Sequence, residues 1–487
     1  MGRKVSRKRL IRRWIAEGFV SSKQGLSVED AAEACFNQLV KRKIVRPVER
    51  NSDGTVKSCQ VHDMVLEYLL SKAGEENFAA VVGGHLPMLT QNIKVRRLSR
   101  QRSDSESAKE MDSMNMSRIR SMTVFGTLDR LRFSSFKTGV VQVLDLQGCQ
   151  GFKANHVMDI CEMTLLKYLG LRGTDIRNLP STIGNLKYLE TLDIRDTDVQ
   201  ELPKPVLLLE QIRNILGGDK RTRKALKMPK EFKKGAMKNL RILSGIEITL
   251  RHSAASYLTS LTRLTKLAMY KIHTDDDMLT LLGDSIEHLG AYALQTLVVD
   301  HDSSDLFKAL NNMNAPVYLS ALELSGKLLQ LPKWLPELNK LTKLTLSATV
   351  LQTDNLVLLS KLRSLFSLTF SIHAANQDPD IVAIMEQNKS NSGGEIFVPA
   401  GGFHNLRLLR ISLRLVPSLN FCETGTPELE RIELCFGRLQ GLHGIHKLGN
   451  IHEVLLIVND IPCQGTKLIL DELKKTSGSH KYALIFN

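Results

Sequence analysis

Residues 174–203 read TDIRNLPSTIGNLKYLETLDIRDTDVQELP. Inside that stretch LETLDI, residues 189–194, puts apolar side chains at its first, fourth and sixth places, and LKYLGL at 166–171 does the same just before it. The pattern apolar-x-x-apolar-x-apolar opens again at Val141, Leu240, Leu264, Leu294, Leu319, Leu341, Leu365, Leu408, Leu429 and Ile451, so twelve starts share one template. Most lie 21 to 30 residues apart, a regularity that chance does not supply. The unit at Leu240 departs from the template by placing Gly245 in its last apolar position. The long gap after Leu189 is expected to hide a degenerate unit near Leu209, and the gap after Leu365 carries a polar insertion running from AANQDPD to NSGG.

That period and template are those of a leucine-rich repeat. Each unit supplies a short strand whose leucines face inward. One unit alone can bury nothing; stacked neighbours share a continuous core and leave the intervening side chains on a concave face. Leu179 and Leu202 extend the inward row, while Pro180 and Pro203 open the convex return. Such an array offers recognition surface and no chemistry. Its concave side chains are expected to include Lys167, Tyr168, Glu190, Asp193, Lys266 and Lys343, with Arg407, Arg410, Arg414 and Arg431 making the far end more basic. The partner-binding candidates are Tyr168, Lys167, Arg407, Arg410, Arg414 and Arg431, joined by Trp334, Phe366 and Phe370 if those rings are exposed. The plainer alternative is that these charges only keep a solenoid soluble.

The chain before the repeats follows other periods. Leu10, Ile11, Trp14 and Ile15 recur at helical spacing until Gly18, and a second helix starts near Ser27, where Asp30 completes a capping-box-like pair. Two short extended runs, Ile44 to Val48 and Val56 to Val61, flank a turn at Asn51, Asp53 and Gly54, and a third helix from His62 to about Ser71 is expected to bury Met64, Val65, Tyr68 and Leu69. Helix, helix, hairpin, helix predicts a winged-helix domain over residues 1–75. Residues 76–139 read as linker and N-terminal cap, with strands at Val95 to Ser99 and Arg120 to Val124 around a Ser- and Arg-rich loop, and residues 140–487 as the repeat domain. The fold class is therefore α/β: a small winged-helix domain followed by a leucine-rich repeat solenoid, or horseshoe.

Composition narrows the function. With 43% apolar and 24% charged residues in 487, the chain is globular, and 5% aromatics with two Trp is thin for a stacking binder of nucleic acid or glycan. A net charge of +15 spread over this length selects no class of anion. Seven cysteines without a C-x-x-C pair read as free thiols in a reducing compartment. No apolar run of signal-peptide length follows the basic start, and the longest uncharged stretch, Asn77 to Ile93, is broken by Gly83, Gly84 and Pro87, so neither secretion nor a transmembrane segment is expected. The basic residues from Arg3 to Arg13 and from Lys41 to Lys43 suit a duplex backbone, but the helix placed to read bases begins with Glu29, Asp30 and Glu33. No nucleic acid is expected. H-E-x-x-H, G-x-S-x-G and G-x-G-x-x-G are absent, His443 and His446 lack partners at ligand spacing, and Asp275, Asp276 and Asp277 lack the rest of a cation loop. The chain reads as no enzyme, with no catalytic residue and no metal site.

The sharpest local feature is VHDM at 61–64, where the second wing strand passes into a helix. Asp63 can cap the helix and His62 can be held by packing, or His62 can meet a phosphate or a neighbouring domain. RKRLIRRWIAEGFV, CFNQLVKRKIVRPV and VHDMVLEYL, together with the repeats of 174–203, resemble plant intracellular immune receptors of the coiled-coil, nucleotide-binding, leucine-rich-repeat family, most of all those of grasses. The resemblance covers nearly the whole chain. It implies that His62 and Asp63 match a Met-His-Asp motif, with Val61 in the methionine's place, whose histidine contacts ADP phosphate in the family. The sequence contains no P-loop, G-x-x-x-x-G-K-[ST], and no coiled-coil segment, so no cofactor is expected, and ADP or ATP only if an upstream nucleotide-binding domain is present. The implied function is plant defence: a recognition and autoinhibitory module sensing a pathogen effector or modified host protein by protein contact. The implied location is cytoplasmic, with the nucleus and the plasma-membrane periphery as alternatives. A P-loop-free adaptor or decoy acting on a complete immune receptor is the rival reading, and a winged-helix DNA-binding protein a weaker one.

Overall fold

The computed structural model describes all residues except 1–2, 23–24, 52, 84–94, 103, 105–106, 108, 110, 112–113, 115, 129–130, 137–138, 231–234, 250–251, 274–275, 302–309, 329–330, 350–352, 372–394, 423, 460–462, 478–482 and 487. They form two compact units, residues 1–248 and 249–487.

The first unit opens with β1 (Val5–Ser6), α1 (Arg7–Glu17), α2 (Val28–Lys41), β2 (Val45–Arg50), β3 (Val56–Val61) and α3 (Asp63–Glu75). The strands pair antiparallel in the order β1-β3-β2. Gly18 stops α1 in the left-handed region at φ 75°, its N–H returning to the carbonyls of Ile15 and Trp14. Ser27 starts α2, its hydroxyl accepting the Asp30 N–H at 3.1 Å. Between the two helices and the wing, Ile11, Ala32, Phe36, Val45, Val56 and Cys59 are buried, and Trp14 and Leu39 pack at the edge. That core closes without α3. None of α3 is buried, and Met64 and Tyr68, expected inside, are 70% and 63% exposed.

Nine further strands follow: β4 (Ala80–Val82), β5 (Arg97–Arg100), β6 (Ser121–Val124), β7 (Val143–Asp145), β8 (Tyr168–Gly170), β9 (Thr191–Asp193), β10 (Asn214–Leu216), β11 (Leu226–Lys227) and β12 (Ile242–Thr249). They pair parallel, and the register aligns Leu98, Met122, Leu144, Leu169, Leu192, Ile215 and Leu243 in one buried inward row. The ladder thus begins at Ala80, inside the segment expected to be linker and cap. Ile119, Met122 and Val124 fit the repeat template outright. Val95, Leu98 and Arg100 break it only at Arg100, which is fully buried and donates from Nε to the Arg102 carbonyl at 2.9 Å. The degenerate unit starts at Ile212, with Leu209 buried in the turn before it. Its last apolar place is Gly217, and Gly245 occupies the same place one strand later. A Cβ on Gly245, at φ 78°, would stand 1.9 Å from the Gly217 carbonyl oxygen, so the two backbones meet where leucines would otherwise lie.

In the second unit the ladder comprises β13 (Lys266–His273), β14 (Thr296–His301), β15 (Ala321–Leu328), β16 (Lys343–Thr349) and β17 (Ser367–Ser371). After β18 (Glu395–Val398) come β19 (Leu408–Ser412), β20 (Leu415–Val416), β21 (Ser418–Phe421), β22 (Arg431–Phe436), β23 (Arg438–Leu439), β24 (Leu442–His443), β25 (Glu453–Val458) and β26 (Ala483–Phe486). β13 through β17, β19, β22, β25 and β26 pair in parallel succession, while β18-β21-β24 forms a separate sheet. One frame is shifted from expectation. Leu368 aligns with Leu409 and Phe370 with Ile411, so the inward residues are Leu406, Leu409 and Ile411, and Leu408 joins the row of Ser367. LRLLRISL satisfies the template in either frame, and the neighbouring strands choose. Trp334 and Phe370 are buried, the Trp334 indole donating to the Leu310 carbonyl at 2.7 Å, which removes both from any binding surface. Asp276 and Asp277 begin a helix, Asp276–Gly290. Asp275 and the insertion at 374–394 lie outside the described residues.

The thiols differ enough to be told apart chemically. Burial pushes Cys149 up to about 12 and Cys161 up to about 11, whereas the exposed Cys463 is held below its ordinary range by a hydrogen bond with the Thr466 hydroxyl. Iodoacetamide at pH 8 should therefore modify Cys463 first and leave Cys149 and Cys161 intact in the folded protein, as mass spectrometry of timed samples will read.

Candidate functional site

In the first unit α1 lies across the concave face of the early rungs. Two rows of side chains rise from that face: Arg97, Ser121, Val143, Tyr168 and Thr191, and beside them Ser99, Thr123, Asp145, Gly170 and Asp193. Asp145 is fully buried. Arg9 reaches both its oxygens at 2.7 Å, and Arg13 adds a bond at 3.1 Å while donating to the Thr123 hydroxyl at 2.8 Å. Although burial disfavours its charge, Asp145 holds the Arg9 guanidinium above its ordinary range. One turn further along α1, Ala16 packs on Val143 and Tyr168. At the helix end Glu17 takes Arg97 at 2.5 Å, and that guanidinium lies over the stacked rings of Phe19 and Phe78. From α2, Glu29 pairs with Arg213 at 3.2 Å and Arg241 at 2.8 Å.

Tyr168 therefore belongs to this internal contact. It is 2% exposed, and burial, followed by the Asp145 and Asp193 carboxylates, pushes its hydroxyl above the ordinary phenol range. Gly170 makes room for it, since a Cβ there would stand 2.9 Å from the Tyr168 ring. The expected partner-binding role of Tyr168 is corrected on this ground, while Lys167 remains half-buried beside it. Of the residues that build the contact, Arg9 and Arg13 were read only as part of a basic run suited to a duplex backbone, and Asp145, Glu17 and Arg97 were given no functional role from sequence. The available signal was a pair of acids, Asp145 and Asp193, at the same concave place in two units.

In the second unit the arginines are interleaved with glutamates. Arg407 pairs with Glu430 at 3.4 Å, Arg410 with Glu433, and Arg431 with Glu433 at 2.9 Å and Glu453 at 3.2 Å. Arg407 also stands over Phe366, 5.5 Å from the ring centroid. The expected basic end is thus a zipped band of alternating charge, because the register sets Arg410 opposite Glu433 and Arg431 opposite Glu453 on successive strands. Arg414 is exposed beyond the end of β19, where its carbonyl accepts the N–H groups of Gly437 and Arg438.

His62 is the N-cap of α3. Its Nδ1 accepts the Met64 N–H at 3.3 Å, the capping role that sequence reading had offered to Asp63, and the side chain is exposed. Among the described residues no group of His, Cys, Asp and Glu is arranged to hold a metal, and no helix is long and apolar enough to cross a membrane.

Comparison with known proteins agrees with both parts of the fold. Residues 2–68 match the "Disease resistance protein Winged helix domain" and residues 118–475 the "Leucine-rich repeat region". The chain is 49% identical over 508 residues to disease resistance protein Pik-2 of Oryza sativa subsp. japonica, covering 97% of this chain and 50% of that protein. It is 48% identical over 515 residues to disease resistance protein PIK6-NP of the same rice, covering 99% and 49%. The chain spans about half the length of these curated relatives. A leucine-rich repeat protein of Leptospira interrogans aligns with a TM-score of 0.45 at 17% identity, covering 85% of this chain and 98% of that one.

Proposed function

Because the chain belongs to the plant disease resistance proteins, with their winged-helix and leucine-rich repeat portion, we propose that it is a recognition and autoinhibitory module that senses a pathogen effector or modified host protein by surface contact. The observation that carries this reading is the seating of α1 on the concave face through Asp145. While α1 is seated, a protein ligand cannot use the rows around Asp145 and Tyr168. A ligand that binds there needs α1 to leave, and its differential affinity for the released state sets how far it shifts the equilibrium. The band of Arg407, Arg410 and Arg431 is a second contact surface, suited to a partner that presents both signs of charge. His62 and Asp63 would meet a nucleotide only where a nucleotide-binding domain is joined to this chain. The free thiols and the family favour the cytoplasm.

The test uses the complete receptor in plant cells. Asp145→Arg, which sets a third cation against Arg9 and Arg13, should release α1 and give a defence response without a pathogen protein. A receptor that stays silent, while accumulating to the unaltered level, would count against the autoinhibitory part of the reading. Loss of ligand-dependent response in Arg407→Glu/Arg410→Glu, with the unstimulated state unchanged, is expected if the second surface contributes recognition.

A further inference from the structure

α1 has two faces with separate duties. Leu10, Ile11, Trp14 and Ile15 belong to the winged-helix core, while Arg9, Arg13, Ala16 and Glu17, at i, i+4, i+7 and i+8, meet the repeats. The second face is ordered along the helix. Arg9 and Arg13 engage the row of Thr123 and Asp145, and the last turn engages the row of Arg97, Val143 and Tyr168. Those rows lie two residues apart along each strand, about 6 to 7 Å, and four residues of helix rise about 6 Å, so one turn of α1 passes from one row to the other.

Each place imposes its own chemistry. Arg9 grips both oxygens of Asp145 as a fork, from Nε and Nη2, each at 2.7 Å, and Arg13 divides its two terminal nitrogens between Asp145 and Thr123. A lysine ammonium can copy neither arrangement. Ala16 is 2% exposed against Val143 and Tyr168, which leaves no volume for a larger side chain, and Arg97 takes a carboxylate at the next position. The order cation, cation, carboxylate also fixes direction, because a helix laid the other way would set its acid on Asp145 and a guanidinium on Arg97. None of these requirements involves the core face of α1. Resting on the reading that a protein ligand takes this seat when α1 leaves, we propose that the ligand inserts an α-helix that copies α1. It carries arginines at i and i+4, a small residue at i+7 and a carboxylate at i+8, and it runs in the direction of α1.

The probe is an alanine-based peptide of about 20 residues, long enough to hold a helix in water, with Arg, Arg, Ala and Glu at these four positions. Fluorescence anisotropy follows its binding to the full chain. Arg9→Glu/Arg13→Glu sets two acids against Asp145 and expels α1 from the seat without touching its core face. That variant should bind the peptide saturably and at least about 10-fold more tightly than the unaltered chain, whose own α1 competes for the seat. Adding Asp145→Ala should abolish the binding, and so should reversing the order of the peptide's charges at constant composition. Arg9→Glu alone gives the same comparison if the double variant fails to fold. No binding by the variant, or equal binding of both peptides, would overturn the proposal, whether or not Asp145→Arg activates the complete receptor. Peptide binding beside a silent Asp145→Arg receptor supports the copied helix and counts only against autoinhibition.

Discussion

Replacing Asp145 with alanine is expected to destabilise the first unit by about 3 to 5 kcal/mol, the usual cost of removing one partner from a buried ion pair. The carboxylate is fully buried and receives three guanidinium bonds, two from Arg9 and one from Arg13. Both cations are themselves largely covered, so alanine leaves two charges facing each other without a counter-ion. Asp145→Asn keeps the volume and one acceptor oxygen but turns an NH2 donor toward a guanidinium donor, and its cost should fall between those of the unaltered protein and alanine. Urea unfolding with unchanged slope reads both values. A loss below about 1 kcal/mol for alanine would place the pair with surface ion pairs, which contribute little.

Gly245→Ala should lose at least about 3 kcal/mol, from left-handed strain together with backbone crowding. Its φ is 78°, and the new methyl would sit 1.9 Å from the Gly217 carbonyl oxygen and 2.6 Å from its carbon. Neither contact is a flexible side-chain end, so the strands must separate. Gly74→Ala gives the opposite result. Gly74 is exposed in α3 with nothing within 4 Å of its missing Cβ, and alanine should stabilise the helix by up to about 1 kcal/mol. Thermal melts of the two variants side by side distinguish a glycine required by backbone approach from one that is merely tolerated.

These two positions also mark what could be read from the sequence. The inward leucines announce themselves because burial demands apolar residues at fixed places, and twelve repetitions average out exceptions. Gly245 was legible as a departure but not as a contact, since its reason is the Gly217 carbonyl one strand away. Arg100 hid a rung because the backbone carbonyls of Arg102 and Thr127 accept from its guanidinium inside the core, an arrangement that hydrophobic pattern cannot express. The Leu408 frame failed for a different reason, since LRLLRISL carries two superposed copies of the template and only strand pairing separates them.

The site was harder to read than the fold. α1 was recognised as a helix from Leu10, Ile11, Trp14 and Ile15, yet its opposite face, Arg9 and Arg13, was weighed only as part of a basic run suited to a duplex backbone. What gives those residues a role is Asp145, more than a hundred positions further on. Tyr168 was taken for a partner anchor because a concave position is ordinarily open, and it is covered by a helix from the same unit. Likewise Arg407, Arg410 and Arg431 look basic along the chain, while the glutamates that match them stand in adjacent strands.

The central claim is that α1 is held on the concave face through Asp145. A double-mutant cycle on Arg9 and Asp145, using the two single alanine variants and their combination, measures that link apart from the cost of each truncation. A coupling of at least about 1 kcal/mol is predicted, because the double variant removes both the stranded charge and its partner. Additive losses, with coupling within about 0.3 kcal/mol of zero, would mean that Arg9 and Asp145 do not interact in solution and would contradict the seating of α1 on which the proposed autoinhibition rests.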